Sequence, residues 1–342
     1  MIQFDKAYYD SIWPEQGVHR HDYCEDLTNR LIQKYGKCRI LDIGTGCGFL
    51  VKTLREKGCD AWGLELSDYA IANSCIPEYI RKGDVKDIPF ASGFDVVHSQ
   101  GLWGYFLEED IQKAWEECKR VGKIQEHNID YDPQPSEHQY LFTKSPQWWK
   151  NKFYPKVLIG TPIHETKEYS LQRWLNNIKS FTYPNFDVLV VDNSPTEDLM
   201  NRWKDKVDIR HINTKGIEQY TEMRKNLSFD LIRKEFLKGD YERMVTIESD
   251  IIPSVGIIEF MLKWGKDTDW ISVSFPNREN QISHEQGLGC CMFTRRLMEA
   301  YDWESLADNY NSDGGFWMRM QGDTRFKTME LWHFVNMIHL KE

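Results

Sequence analysis

The sequence predicts an α/β protein of two domains. Three observations lead there. The chain has 342 residues, and one globular domain usually takes about 100–200. Short apolar runs alternate with amphipathic stretches, as helices layered on a sheet require. That series starts twice, once at Cys38 and again at Val157. Hydrophobic residues are 41% and charged residues 28%. Such a composition excludes a disordered chain or a collagen-like fibre.

In the first half, Leu27, Leu31 and Ile32 place an apolar stripe on a helix over residues 23–35. Cys38–Ile43 is a short apolar run ending in glycines, and reads as a buried strand. A helix follows over Phe49–Lys57, then a strand over Ala61–Leu66, with Ser67 as cap of the next helix. Tyr79–Lys82 and Phe94–Ser99 supply a third and a fourth strand. Glu108–Val121 is a helix with Ile111, Ala114, Trp115 and Cys118 on one face. The proline-containing stretch 122–156 leaves room for a fifth strand and an aromatic helix, Ser145–Phe153. A boundary near 150–155 then divides the chain into domains 1–150 and 155–342.

The second series predicts strands at Val157–Ile159, Phe186–Val191 and Arg243–Ile247. Helices are expected over Tyr169–Phe181 and Thr221–Leu237.

The net charge is −10, from 43 basic and 53 acidic residues, with no basic run longer than two. Nucleic acid is therefore not an expected partner. No apolar stretch approaches the roughly 18 residues of a membrane span. The start, MIQFDKAYYD, lacks the apolar core of a secretory signal. The eight cysteines include no C-x-x-C pair, which gives zinc no support and fits reduced thiols. A cytoplasmic location is expected.

The Ile40–Gly48 segment, ILDIGTGCG, carries the first chemistry. A strand enters a turn with glycine at positions 44, 46 and 48, where a ligand can approach the backbone closely. Glu65 follows Gly46 by 19 residues, a spacing that suits an acid on a ribose. Asp42, just ahead of the turn, would repel a pyrophosphate and suits a cationic or amino-acid-bearing ligand.

This segment resembles motif I of the class I S-adenosylmethionine-dependent methyltransferases. The likeness spans roughly residues 20–125. It implies that Asp42, Gly44, Gly46 and Gly48 lie under the methionine moiety and that Glu65 holds the ribose. Gly83-Asp84-Val85 resembles the motif whose acid, here Asp84, reaches the adenine amine. Phe94–Ser99 resembles the fourth strand, whose end at Ser99 faces the methyl group. The antiparallel pair that usually closes that family's sheet is not clearly present. His98 is the candidate proton acceptor, although a histidine in an alternating strand is more often a satisfied core residue. Arg20, in the run His19–Asp22, is a candidate for the cofactor carboxylate or part of a surface run.

In the second half, Val188–Val191 passes directly into Asp192-Asn193-Ser194. An acid at a strand's carboxyl end lies where open sheets bind ligands. Arg243–Ile247 leads into Glu248-Ser249-Asp250. Two carboxylates at i and i+2 can hold a divalent ion that neutralises a diphosphate.

These residues resemble the GT-A glycosyltransferases, in particular the family-2-like group, over residues 155–340. The resemblance implies that Thr161, Pro162, Asp192, Arg224 and Glu248 contact a nucleotide-sugar. Glu248-Ser249-Asp250 is a variant of that group's Asp-x-Asp motif. Glu248 stands where the motif has Asp, and Asp250 with His339 would hold Mg²⁺ or Mn²⁺. Asp313, at a helix start, matches the catalytic base, and reads otherwise as a helix cap.

The expected architecture is thus a Rossmann-like methyltransferase sheet followed by a GT-A nucleotide-diphospho-sugar transferase fold. The expected function is bifunctional: metal-dependent transfer of a sugar from a nucleotide-sugar donor, and methylation from S-adenosylmethionine of the glycan or its hydroxyl acceptor. The alternatives are a glycosyltransferase with a scaffold domain that only binds cofactor, and a non-catalytic sugar-binding protein on a GT-A frame.

Overall fold

A computed structural model describes residues 3–12, 24–130, 141, 144–273, 288–303, 316, 320, 322–331 and 338–339. The chain divides into two compact units, Met1–Phe153 and Tyr154–Glu342. Among the described residues no helix is long and apolar enough to cross a membrane. None of the eight cysteines, all of them among the described residues, forms a disulfide.

The first unit opens with α1 (Lys6–Ile12) and α2 (Cys24–Tyr35). There follow β1 (Arg39–Ile43), α3 (Phe49–Glu56), β2 (Asp60–Glu65), α4 (Asp68–Ala72), β3 (Ile80–Lys82) and β4 (Phe94–Gln100). α5 (Glu108–Val121), β5 (Gly122–Asn128) and α6 (Pro146–Phe153) complete it. The strands pair in the order β3-β2-β1-β4-β5, all parallel. This is a Rossmann-like sheet. β1 is central, and Ile40, Leu41 and Ile43 are wholly buried, as a parallel strand covered on both faces demands. Leu27 and Leu31 of α2 and Leu50, Val51 and Leu54 of α3 pack in one cluster with Ile40 and Val96. Trp115 of α5 stacks on Phe153 of α6, ring centroids 4.4 Å apart. Among the described residues the sheet ends at β5, without an antiparallel closing pair.

The second unit contains β6 (Val157–Ile163), α7 (Glu168–Lys179), β7 (Phe186–Asp192), α8 (Asp198–Trp203), β8 (Ile209–His211) and α9 (Thr221–Lys238). Next come β9 (Arg243–Ile247), β10 (Ile251–Ile252), α10 (Ile257–Trp264), β11 (Trp270–Val273), β12 (Cys290–Thr294) and α11 (Arg295–Ala300). β13 (Thr328–Leu331) and β14 (Ile338–His339) are last. The main sheet has the order β13-β11-β12-β9-β6-β7-β8. β9, β6, β7 and β8 are mutually parallel, and β12 runs antiparallel to both β9 and β11.

Alternate residues of these strands feed two cores. Val157, Ile159, Val190 and Val245 join α7, α8 and α10. Leu158, Leu189, Val191 and Met244 join α9 and α11. Gly160 lets α9 lie close on β6, since a Cβ there would come 2.3 Å from Ile232 Cγ2.

Most strands match their expected bounds to within a residue at each end, whereas β6 exceeds its expectation of Val157–Ile159 by four residues. β6 runs on through Ile163, so Thr161 and Pro162 lie inside the strand. β9 pairs with β6 only over Val157–Gly160. Beyond that point the strand has β7 alone as neighbour, where a proline's missing N–H is tolerated.

Candidate functional site

β1 delivers the chain into a turn whose three glycines have φ of 70° at Gly44, 59° at Gly46 and 82° at Gly48. L side chains rarely adopt such angles. At Gly48 a Cβ would also meet Ile80 Cδ1 at 2.7 Å, whereas nothing lies within 4 Å of a Cβ built on Gly46. A Cβ on Gly44 would likewise meet Leu102 Cδ1 at 2.9 Å, so the turn is packed at both ends and open at Gly46 between them. At this open midpoint, Gly46 N–H donates to Glu65 Oε2 at 2.7 Å. Leu66 and Ser67 N–H both donate to Oε1 at 2.8 Å. Burial raises the Glu65 pKa, and these backbone bonds oppose the rise. A carboxylate has about four acceptor positions, so about one remains for a ligand hydroxyl. Open backbone beside an anchored carboxylate fits an adenosine cofactor carrying a cationic or amino-acid group.

The other candidates of the first unit are placed as follows. Asp84 is partly exposed, accepts from Lys86 N–H at 2.9 Å and lies one strand beyond Glu65. Asp42 and His98 are register partners on β1 and β4, and Asp42 Oδ1 lies 2.7 Å from His98 Nδ1. His98 is 1% exposed. An acceptor hydroxyl cannot reach an imidazole so enclosed, and the base role expected for His98 is corrected to that of a buried partner of Asp42. Ser99 is wholly buried, with its hydroxyl bonded within the fold. Gln125 Nε2 donates to the carbonyls of Cys118 and Gly122, both at 3.0 Å. Its Oε1 therefore accepts from His127 Nε2 at 3.1 Å. His127 Nδ1 is then an acceptor, and Ser99 Oγ donates to it at 2.8 Å. Trp103 Nε1 donates to the same Oγ at 3.1 Å. Burial, with His98 nearby, pushes the His127 pKa down to about 3. Arg20 lies outside the described residues.

Sequence reasoning missed the aromatic start of the chain. Tyr8 and Tyr9 pack with Cys47 of the glycine turn and Ala70 of α4, joined by Phe4, Tyr69 and Tyr105. Tyr8 and Tyr105 share a hydroxyl–hydroxyl bond of 2.5 Å, and Ser67 Oγ donates to the Phe4 carbonyl. Burial, then the Glu65 charge, raises the Tyr9 pKa. The spacing Phe4, Tyr8, Tyr9 is the i, i+4, i+5 of a helix face, which was the available signal.

In the second unit the strand ends gather a second group. Asp192 is wholly buried and turned inward. Its Oδ1 accepts from Ser194 N–H at 2.9 Å, and its Oδ2 from Met200 N–H at 3.2 Å, with His211 Nδ1 at 3.3 Å. Arg224 is 7% exposed. Its Nη1 donates to the Asn193 carbonyl at 3.2 Å and its Nη2 to Thr221 Oγ1 at 3.3 Å. Its Nε has no partner among the described residues. Burial first, then Arg224, lowers the pKa of His164. Thr161 is buried, and its hydroxyl donates to the Pro162 carbonyl at 3.3 Å.

Glu248 and Asp250 leave β9 together, but a lysine stands between them. Lys167 Nζ is 3.0 Å from Asp250 Oδ2 and 3.6 Å from Glu248 Oε2. No group of three His, Cys, Asp or Glu side chains suited to a metal occurs among the described residues. The Mg²⁺ or Mn²⁺ site expected at Asp250 and His339 finds no support among the described residues, which do not include the His339 side chain. An ammonium holds the carboxylate oxygens that the ion would need. β14 brings the His339 backbone opposite Ile251. Asp313 lies outside the described residues. A lysine in a polar turn carries no signal in a single sequence, so Lys167 was not foreseen.

Residues 41–125 match the family model of the methyltransferase domain. No curated protein matches the sequence. Among solved structures, S. aureus TarS aligns at 13% identity and a TM-score of 0.40, over 52% of this chain and 35% of that one. SAM-bound CalS10, an amino pentose methyltransferase from Micromonospora echinaspora, aligns at 20% identity and a TM-score of 0.29. That alignment covers 33% of this chain and 52% of CalS10. The chain thus spans about a third of the length of the first and half of the second.

Proposed function

We propose that the first unit binds S-adenosylmethionine and transfers its methyl group to a glycan or to the acceptor of that glycan. The observation that carries this reading is the Glu65 carboxylate, anchored by Gly46 N–H at the open midpoint of the glycine turn. The match of residues 41–125 to the methyltransferase domain supports it. S-adenosylmethionine supplies an electrophilic methyl group when bound. Glu65 accepts from the ribose, Asp84 from the adenine amine, and the Gly44–Gly48 backbone receives the methionine end. Asp42 is fixed by His98 at the foot of that turn. Ser99, locked by His127 and Trp103, holds the end of β4 in place.

A second reading concerns the second unit. Arg224 is a buried guanidinium without a carboxylate in ion-pair range among the described residues. Such a charge is costly unless an anion meets it. Together with the strand order, it supports a nucleotide-sugar transferase of GT-A type in which Arg224 faces the donor's phosphates. In that reading Asp313 takes the acceptor hydroxyl's proton as the sugar's bond to the diphosphate breaks and the new glycosidic bond forms.

Two experiments test these readings. Methyl-labelled S-adenosylmethionine is incubated with the full chain and a glycan pool. Label in the glycan supports methyl transfer. Saturable cofactor binding with all label retained in the cofactor makes the first unit a scaffold. For the second unit, thermal unfolding is followed with UDP and with GDP. A shift with one of them that Arg224→Met abolishes supports the donor site, and no shift with either removes it.

A further inference from the structure

The acidic pair after β9 is placed as a metal motif would be, yet its surroundings are those of an ion pair. Asp250 has a side chain only 1% exposed, and its Oδ2 lies 3.0 Å from Lys167 Nζ. Glu248, on the same side, lies 3.6 Å from the same nitrogen. A hard divalent ion takes about six oxygen ligands. The described side chains, which exclude that of His339, offer two carboxylates here and no third acidic, histidine or cysteine donor beside them.

The fold itself delivers the lysine. β6 and β9 run side by side and parallel, with Gly160 opposite Thr246. The chain leaving β6 therefore emerges at the same sheet end as the chain leaving β9. It turns once over Glu165–Lys167, fixed by Lys167 N–H on the His164 carbonyl at 2.8 Å. That turn ends with the ammonium between the two acids. The lysine stem is partly covered, with 30% of the side chain exposed.

We infer that Lys167 is the resident cation of the Glu248–Asp250 pair and keeps divalent metal ions off it. The inference concerns the pair alone. It rests on the glycosyl-transfer reading only for its consequence, that a nucleotide donor binds here without Mg²⁺ or Mn²⁺. In that case positive charge for phosphates comes from side chains such as Arg224.

The test uses Mn²⁺ alone, without nucleotide, titrated into the full chain. Free aqueous Mn²⁺ is read by its electron paramagnetic resonance signal. The wild type is expected to leave that signal undiminished at millimolar Mn²⁺. Lys167→Met keeps the stem and removes the charge. It is expected to bind one ion, at least about tenfold more tightly than wild type, as removal of a competing charged hydrogen bond implies. Adding Asp250→Asn to that variant is expected to abolish the binding.

Stoichiometric Mn²⁺ binding by wild type that Asp250→Asn abolishes overturns the inference, and this arm needs no lysine variant. A folded Lys167→Met chain that still binds no Mn²⁺ also overturns it, since the lysine would then be excluding nothing. Absence of any UDP or GDP shift, with or without Mn²⁺, removes the glycosyl-transfer reading and leaves the Mn²⁺ result to be judged on its own.

Discussion

Glu65→Gln separates binding from folding. The glutamine keeps the shape of the side chain but carries one acceptor oxygen in place of two. In the wild type the carboxylate receives Gly46 N–H at 2.7 Å and the N–H groups of Leu66 and Ser67 at 2.8 Å. The amide must point its NH₂ at one of these donors, so a buried bond is lost. Against that, burial disfavours the wild-type charge, and the neutral amide relieves the penalty. The two effects oppose each other, and the unfolding midpoint is expected to move by only a few degrees, roughly 1 kcal/mol. Binding has no such offset. A hydrogen bond from a ribose hydroxyl to a charged acceptor contributes about 1.5–3 kcal/mol. At about 1.4 kcal/mol per tenfold, its loss weakens the cofactor by roughly 10–100-fold. Calorimetric titration of both proteins with S-adenosylhomocysteine, with circular dichroism as a fold control, measures the ratio. A folded Glu65→Gln chain that binds as tightly as wild type refutes the assignment of Glu65 to the ribose.

Three further outcomes are expected. Gly46→Val places a β-branched residue at φ 59° with open space around its Cβ. Backbone strain of about 1–2 kcal/mol lowers the midpoint modestly, while the side chain fills the ligand's approach and abolishes cofactor binding. His127 has a folded pKa of about 3, below its ordinary 6.5. The unfolded chain therefore binds the extra proton first, and stability present above pH 6.5 is lost as pH falls toward 3. By pH 5.5 the loss from this group is about 1 kcal/mol. Urea unfolding of wild type against His127→Phe at the two pH values reads it, with a flatter dependence in the variant. Arg224→Met removes a buried guanidinium whose Nε lacks a partner. It is expected to leave the thermal midpoint unchanged or raised while weakening nucleotide binding by more than about tenfold.

Local pattern exposed much of the fold. Cys38–Ile43, Phe94–Ser99 and Arg243–Ile247 are short apolar runs bounded by glycine or charge, and each contains or overlaps a strand of the sheet. Glu108–Val121 shows its helical stripe plainly. Less was visible where a neighbour decides the matter. β6 continues through Pro162 because β7 stays beside it after β9 has departed, and no local propensity announces that. The turn glycines and Glu65 are brought together as their spacing suggested, within 2.7 Å at Gly46. The surroundings of the acids and histidines were not legible, because they depend on partners far along the chain. His98 meets Asp42, which is 56 positions away. Lys167 meets Asp250 only because two parallel strands end side by side. The α1 aromatics were readable as a helix face, but what they cover depends on tertiary packing over Cys47.

If the turn from Gly44 to Gly48, with Glu65, holds an adenosyl cofactor, the chain must bind S-adenosylmethionine and need that turn to do so. Equilibrium binding of S-adenosylmethionine to the full chain tests this requirement most directly, read beside Gly46→Val. One saturable site per wild-type chain, lost in the folded variant, is the expected result. Absence of binding by wild type, or binding undiminished in Gly46→Val, would contradict it.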